Sequence, residues 1–425
     1  MRRPVTEVRL WDRTIGHAWR DPGAVCVAFQ YDADFITSGI EVAPLTMPLG
    51  RRVYTFPELA GPCFKGLPGL IADSLPDRFG TTVTDAWLQA RAVAPAGFDA
   101  LERLRFTGTR AMGALEFAPV RGPDGRRAAR LDLSRVAALS QQLFAPGGAL
   151  GAVDKKALRA LTRAGTSAGG SRPKAIVASQ EAAAVVHSGE VPAPAGSGYW
   201  LLKFDGPECE CRTPKELEGR GNIEYGYSLM AKDAGLDMSD CRLLQDGPRR
   251  HFMTRRFDRR ADGDKLHMLS LAALTHTDFD ASGSYEQLFA VLKRLGLAPP
   301  ALEQQFARMA FNVFARNQDD HAKNVAFLMD RQGSWSLAPA FDLTFSCNPA
   351  GAWTAHHQMS VNGKRDAITA DDLRACGRVA GLTPARADAL MAKVRAAVGR
   401  WPYFAGLAGV PAAWRDIVQG YLRTA

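Results

Sequence analysis

The residues best equipped for chemistry stand in one octet, NQDDHAKN, from Asn317 to Asn324, with a further aspartate, Asp342, in the FDLTFS segment beyond it. Two carboxylates and an amide converging on one point suit phosphoryl transfer from a metal-bound nucleotide. One Asp takes or orients the acceptor hydroxyl, while an Asn and a second Asp hold the ions that neutralise the moving phosphate. Asp319 lies five positions before Asn324, the offset between base and metal-binding Asn in protein-kinase catalytic loops, so Asp319 is the expected base. Between Asn324 and Asp342 the segment VAFLMDRQGSWSLAP reads as a hairpin turning at Gly333, whose open end would bring the two together. Such a pair offers an oxygen site for Mg2+, which takes one or two protein oxygens and completes its shell with phosphate and water. Asp320 either shares the metal or faces solvent, and His321 is expected to be a packed, hydrogen-bonded scaffold residue. Any one of these side chains alone would pass as part of a solvated turn; their combination is what points to catalysis.

A nucleotide also needs a cation. Lys203, in the apolar strand YWLLKF, must either snorkel or meet an anion. The following helical segment offers Glu216, Glu218 and Glu224, of which Glu224 is favoured because Ile223, Tyr227 and Met230 mark a buried face. On this reading Lys203→Ala leaves the fold intact, with Glu224 solvated or re-paired. The cluster GTSAGGSRPK, residues 165–174, can present backbone N–H groups to phosphates through Thr166, Ser167, Ala168, Gly169 and Gly170, and Lys174 can add a second phosphate contact. It is neither a Walker A loop nor GxGxxG, and by itself reads better as a flexible linker. Its place before the strand that leads to Lys203 is what recommends it.

The elements that must position these residues change character along the chain. EVRLWDRTIGHAW and AVCVAFQY read as an antiparallel β-unit with a turn at Asp21-Pro22-Gly23, and helical spacing follows from Glu58 to Arg91, interrupted by Pro76. FTGTRAMGALEF suggests a strand packed closely on a neighbour. Leu131 to Phe144 and Asp154 to Arg163 read as helices; AIVAS, YWLLKF, CRLLQ and HFMTRRF as strands; and Thr213-Pro214-Lys215-Glu216 as the cap of a helix running toward Gly235. Leu266 to Leu274, Ser284 to Leu295 and Pro300 to Arg316 carry helical spacing, and Thr383-Pro384 caps another helix. The expected class is α+β, with a β-rich N-terminal lobe and a mostly helical C-terminal lobe. The units are 1–130, a small N-terminal domain; 131–256, a lobe with the glycine-rich loop; and 257–425, a helical lobe with the catalytic loop.

Composition sets the limits. At 425 residues, 46% hydrophobic and 23% charged, the chain has the make-up of a soluble globular protein of two or three domains. With no apolar run long enough to span a bilayer, a cytosolic protein making no membrane contact is expected. Seven cysteines, an odd number without a CxxC pair, argue against a disulfide framework or a zinc ribbon, Cys209 and Cys211 being incidental. The excess of 53 Lys+Arg over 44 Asp+Glu permits an acidic partner, but no basic helix or aromatic-interleaved RNA motif supports sequence-specific reading of nucleic acid.

GTSAGGSRPKA, the LLKF lysine, NIEYGYSLMAKDAGL, RRFDR, NQDDHAKN and the aspartate of PAFDLTFS follow one another over residues 165–345. In that order they resemble the HipA-type serine/threonine kinases, the toxins of bacterial toxin-antitoxin pairs. GLPGLIADSLPDRFG and FTGTRAMGALEF resemble that family's N-terminal domain, so the resemblance runs over nearly the whole chain. It implies a two-lobed protein-kinase-like fold with ATP and Mg2+ as cofactors, Asp319 as base, Asn324 and Asp342 on Mg2+, and Lys203 on the ATP phosphates. Thr254, Arg255, Arg256 and Phe257 would form the hinge beside the adenine, and His321 and Lys323 stand with the nucleotide-binding residues. A hydroxyl of the glycine-rich loop would be autophosphorylated to switch the kinase off. Alignment on Lys174 puts Ser167 there, with Thr166 adjacent, and a dianionic phosphate at that point would repel ATP. The implied partners are a HipB-like DNA-binding antitoxin, through which the chain would meet DNA indirectly, and an aminoacyl-tRNA synthetase as substrate, glutamyl-tRNA synthetase above all, whose modification arrests growth and favours persistence. Two other readings use the same residues: a non-catalytic kinase-like scaffold that joins a repressor at DNA, and a kinase acting on a small molecule such as a sugar or antibiotic.

Overall fold

The computed structural model describes residues 4–123, 130–144, 154–165, 172–180, 186–189, 196–206, 219–260, 262–278 and 283–424. Strands β1 (Thr6–Leu10), β2 (Arg13–Trp19), β3 (Ala28–Tyr31), β4 (Val53–Tyr54) and β5 (Leu115–Ala118) pair antiparallel in the order β4-β3-β2-β1-β5. The run EVRLWDRTIGHAW is itself a hairpin, because Trp11 and Asp12 take φ of 50° and 63° and reverse the chain between β1 and β2. Pro76 separates two helices, Gly69–Ala72 and Arg78–Gln89, the second capped by Asp77, whose Oδ1 accepts from Gly80 N at 2.6 Å.

A second sheet holds β6 (Lys174–Ser179), β7 (His187–Ser188), β8 (Gly198–Lys203), β9 (Cys241–Asp246) and β10 (Arg249–Arg255), ordered β7-β6-β8-β10-β9. Lys174 on β6 stands directly opposite Lys203 on β8, so the period-two alternation of strands sets both lysines on one face. The helix Arg220–Asp233 lies against β10 and buries Ile223, Tyr227 and Met230, with Gly219, at φ 93°, opening it in a left-handed turn. The Thr213-Pro214-Lys215-Glu216 cap lies outside the described residues, as do Glu218, Cys209 and Cys211.

The C-terminal region is helical, built on Tyr285–Arg294, Pro299–Phe314, Ala370–Ala380, Pro384–Gly399, Trp401–Ala408 and Ala412–Tyr421. Into it are set β11 (His267–Ser270), β12 (Gly283–Ser284), β13 (Ala326–Met329), β14 (Trp335–Leu337) and β15 (Met359–Ser360). β13 and β14 form the expected hairpin about Gly333, whose φ is 84°. The expectation of a helix over Leu266 to Leu274 is corrected: His267–Ser270 is β11, paired with β13, and only Leu271–Thr275 is helical. Pairing with a strand some sixty residues away overrides the local helical period, and Ser270 then caps the short helix, its Oγ accepting from Ala273 N at 3.1 Å.

One hydrophobic core runs from the N-terminal sheet, through Phe29 and Phe117, to Tyr227, Phe311 and Trp401 of the helical region. A second joins Phe79 and Val83 of the helix Arg78–Gln89 to Leu161, Val177 and Leu202. The N-terminal segment therefore packs on both other parts of the chain. At Gly69 the contact is backbone to backbone: a Cβ there would meet Ala273 O at 2.2 Å, and Gly69 N–H donates to His276 Nε2 at 3.1 Å. The fold is α+β, β-rich toward the N-terminus and helical toward the C-terminus. Among the described residues no helix is long and apolar enough to cross a membrane.

Candidate active site

The octet begins where the helix Pro299–Phe314 ends. Arg316, at φ 56°, turns the chain, and Asn317 then runs parallel beside Ser346, with Gln318 N–H bonded to Ser346 O at 3.0 Å. The octet is thereby laid alongside the segment that follows Asp342. Asn324 Nδ2 donates to Asp319 O at 2.8 Å, which fixes the amide and turns its Oδ1 the other way, and His321 Nδ1 accepts from Lys323 N at 3.2 Å to cap the single turn Ala322–Asn324. His321 is thus a cap and scaffold, as expected of it. A small cavity is lined by Asn317, Asp320, His321, Asn324, Phe341 and Asp342, so the hairpin does bring Asn324 and Asp342 to one place. Asp342 holds φ at 55°, a left-handed conformation rare outside glycine and a local cost retained at functional positions.

The two neighbouring aspartates have separate environments. Asp320 is fully buried: Oδ2 accepts from Tyr285 OH at 2.8 Å and lies 2.9 Å from His357 Nδ1, and Oδ1 accepts from Gln358 N at 2.7 Å. Burial would raise its pKa, but His357 and these donors bring it below the usual carboxylate range. The network continues through Asn312, which donates to Tyr285 OH at 3.0 Å and accepts from Asn317 Nδ2 at 2.9 Å. Asp320 anchors the loop; of the two readings left open for it, neither metal sharing nor solvent exposure describes it. Asp319 faces outward with 38% of its side chain exposed. Trp353 Nε1 donates to its Oδ1 at 2.5 Å, and His321 Nε2 is 3.7 Å away. Partial burial, with the charges of Asp342 and Asp320, raises its pKa against the pull of His321 and Trp353.

Lys203 Nζ donates to Glu224 Oε1 at 2.6 Å and also to Asp342 Oδ1. Arg172, in the described tail of the glycine cluster, reaches Glu224 Oε2 at 3.4 Å. Burial opposes charge on Lys203, but Asp342 and Glu224 outweigh it and raise its pKa. Burial likewise would raise Asp342, yet Lys203, Lys174 and His321 hold it down at about 2. Glu224 is raised, since burial exceeds the pull of Lys203. With Glu224 only 1% exposed, the expectation that it would stay solvated without Lys203 is corrected. Lys203→Ala leaves this buried carboxylate with Arg172, at 3.4 Å, as the cation it can re-pair with, and urea denaturation should read a stability loss of about 3 kcal/mol.

Lys174 is taken up elsewhere: it is 1% exposed and bonds Asp77 Oδ2 at 3.0 Å, tying β6 to the helix Arg78–Gln89. Lys323 lies where its charge acts on Asp73 and Asp77. Asp73 accepts from Ser270 N at 2.6 Å and Ser270 Oγ at 2.8 Å, while Leu271 N bonds Val325 O at 2.8 Å, so an N-terminal carboxylate braces the end of the octet. In the proposed hinge Thr254 is buried, and the N–H groups of Arg255 and Arg256 already bond Asp240 O at 2.7 Å and Tyr199 O at 2.8 Å. Reading an adenine edge falls to the remaining groups of that segment. Phe257 packs on Phe341, ring centroids 5.5 Å apart, next to Asp342.

Four residues escaped sequence reasoning. Asp258 is buried between Arg256 (2.9 and 2.6 Å) and Arg259 (2.7 Å) and accepts from Gly113 N at 2.7 Å. Burial opposes its ionisation, but the two guanidinium groups hold it far below the usual range. It locks the proposed hinge segment to the N-terminal segment around Gly113; RRFDR carries the signal as a charge alternation. Asp77, Arg172 and Trp353 gave none, because their partners are distant in sequence. Thr166, Ser167, Ala168, Gly169 and Gly170 lie outside the described residues.

The donors fit a hard divalent cation. Asp342 has one oxygen on Lys203 and a second that bonds no described residue, and Asn324 keeps its Oδ1 while Nδ2 is occupied. Among the described residues no three His, Cys, Asp or Glu side chains form a self-sufficient cage, so an ion here would need phosphate and water oxygens as well, as Mg2+ does.

Family models match both parts of the chain: the HipA N-terminal domain over residues 6–118 and the HipA-like C-terminal domain over residues 166–401. Among solved structures, HipA of the Shewanella oneidensis toxin-antitoxin system, determined with HipB and operator DNA, aligns at 18% identity over 98% of this chain and 95% of that one, with a TM-score of 0.70. The Helicobacter pylori proinflammatory kinase CtkA aligns at 12% identity over 52% of this chain and 90% of that one, with a TM-score of 0.31, too slight a likeness to build on. With a model matched over more than half of its residues, its site residues set in that same region and its whole length following the fold of a HipA, the chain belongs to the HipA family.

Proposed function

We propose that the protein is an ATP- and Mg2+-dependent serine/threonine protein kinase acting as a HipA-type toxin. The observation that carries this reading is the meeting of Lys203, Glu224 and Asp342, with Asn324 and the partly exposed Asp319 beside them. Lys203 holds nucleotide phosphates and Glu224 orients it, and Asn324 and Asp342 would hold Mg2+, which would neutralise charge on the transferring group. Asp319 accepts the acceptor hydroxyl's proton as its oxygen bonds to the γ-phosphorus and the bond to the ADP oxygen breaks.

In the same reading an aminoacyl-tRNA synthetase is the substrate, a HipB-like antitoxin holds the kinase in check and links it to DNA, and a hydroxyl at Ser167 or Thr166 is the autophosphorylation site. The domain bounds 1–130, 131–256 and 257–425 and a cytoplasmic location belong to it too. Expression in a bacterial host tests this. Wild type should arrest growth and leave a phosphorylated synthetase in the lysate, and Asp319→Ala should do neither. Arrest that persists in Asp319→Ala, or label found only on small molecules, would overturn it.

A further inference from the structure

Asn317 opens the octet and has no part in the chemistry assigned so far. It is 2% exposed, its N–H bonds Asn312 O at 3.0 Å, and its backbone lies beside Ser346. The side chain ends a hydrogen-bond chain whose direction is fixed by charge. Asp320, ionised, can only accept, so Tyr285 gives its hydroxyl hydrogen to Oδ2 at 2.8 Å. The Tyr285 oxygen then accepts from Asn312 Nδ2 at 3.0 Å, which leaves Asn312 Oδ1 to accept from Asn317 Nδ2 at 2.9 Å. Asp320 thus sets the direction of both amides, and the chain terminates in the carbonyl oxygen of Asn317, Oδ1. That atom is buried and has no hydrogen-bond partner among the described residues. A buried acceptor without a donor is costly, and where one persists it marks the place of a water or an ion. Asn317 lines the cavity shared by Asn324 and Asp342, which has room for a water molecule. Asn324 turns its Nδ2 to Asp319 O and keeps its Oδ1, and Asp342 keeps the oxygen that Lys203 does not take. The three side chains therefore offer acceptor oxygens and no donor, the complement of a hydrated cation.

Resting on the reading of Asn324 and Asp342 as Mg2+ ligands, we infer that Asn317 is a positioning residue for that cation. A water bound to a cation through its oxygen turns its hydrogens outward, and Asn317 Oδ1 accepts one of them, holding the hydrated ion against the loop. Because the amide is oriented from Asp320 through Tyr285 and Asn312, the carboxylate that anchors the loop also sets this wall of the metal site.

The test titrates Mn2+, whose free form gives a spin-resonance signal that binding removes, against the full-length protein with a non-hydrolysable ATP analogue. Asn317→Ala should weaken Mn2+ binding about tenfold, the usual loss when an outer partner of a metal site is removed. Its affinity for the nucleotide without metal should stay at the wild-type value. In steady-state kinetics the KM for Mg2+ should rise to match, with kcat restored at saturating Mg2+. Asn317→Asp loses the same bond to Asn312 but keeps an oxygen toward the cavity. Its Mn2+ affinity should equal or exceed that of wild type, while its unfolding midpoint falls as in the alanine variant. A merely structural role would make the two variants alike. Wild-type Mn2+ affinity in Asn317→Ala, or a tenfold loss in Asn317→Asp, would overturn the assignment while leaving the kinase reading standing, and the aspartate variant decides the matter alone if alanine does not fold. A wild-type protein that binds no Mn2+ in the presence of the nucleotide overturns the reading of Asn324 and Asp342 as well.

Discussion

Asp319→Ala should abolish ATP-dependent phosphorylation by the purified protein, lowering kcat by about a thousandfold, as removal of a general base does. Nucleotide affinity and unfolding midpoint should remain near wild type. The expectation follows from what the side chain holds: it is 38% exposed, and among the described residues its carboxylate meets only Trp353 and His321. The neighbouring Asn324 is fixed through the backbone oxygen of residue 319, which alanine retains. The variant thus removes the proton acceptor without disturbing the amide expected on Mg2+. Steady-state kinetics beside a fluorescent-nucleotide titration separates the two effects. A thousandfold loss of nucleotide affinity would instead make Asp319 a binding residue.

The adjacent substitution should have the opposite signature. Asp320→Ala leaves Tyr285 OH, His357 and Gln358 N–H without their shared acceptor in a fully buried site, at a cost of about 4 kcal/mol in unfolding free energy. Activity would fall only because the loop is no longer held. The pH dependence has a definite sign. Since the folded-state pKa of Asp320 is lowered, its contribution is fully present above the unfolded carboxylate value of about 4 and is lost as pH falls through the folded value. Urea titrations of wild type and variant should therefore converge toward acid pH. A variant as stable as wild type at neutral pH would contradict the anchoring role.

Much of this site was legible in the sequence, for two reasons. Asp319, Asn324 and Asp342 are chemistry-bearing types at fixed spacings around a hairpin, and a hairpin closes locally, so its geometry can be read without the rest of the fold. Lys203 and Glu224 could be paired because a charge in an apolar strand must find an opposite charge, and the helix offered one carboxylate on its buried face. The remainder depends on contacts between residues far apart in the chain. Asp77 on Lys174, Asp258 on Gly113 and Gln358 on Gln318 leave no periodic trace. For the same reason β11 reads as helix: its local spacing is helical, and its partner strand lies beyond the next three α-helices. The environment of Lys174 also overrode its sequence context, since a lysine closing a glycine cluster reads as a phosphate contact until a distant aspartate is found on it.

The most direct test of the central assignment is transfer of the γ-phosphate of labelled ATP by the purified full-length protein, with Mg2+ and with a chelator, for wild type and Asp342→Asn. Label should appear on protein in the wild type with Mg2+ and vanish with the chelator and in the variant, which retains nearly the same volume but loses the charge that holds Lys203 and is proposed to hold Mg2+. Metal-independent labelling, or undiminished labelling by Asp342→Asn, would contradict the site described above.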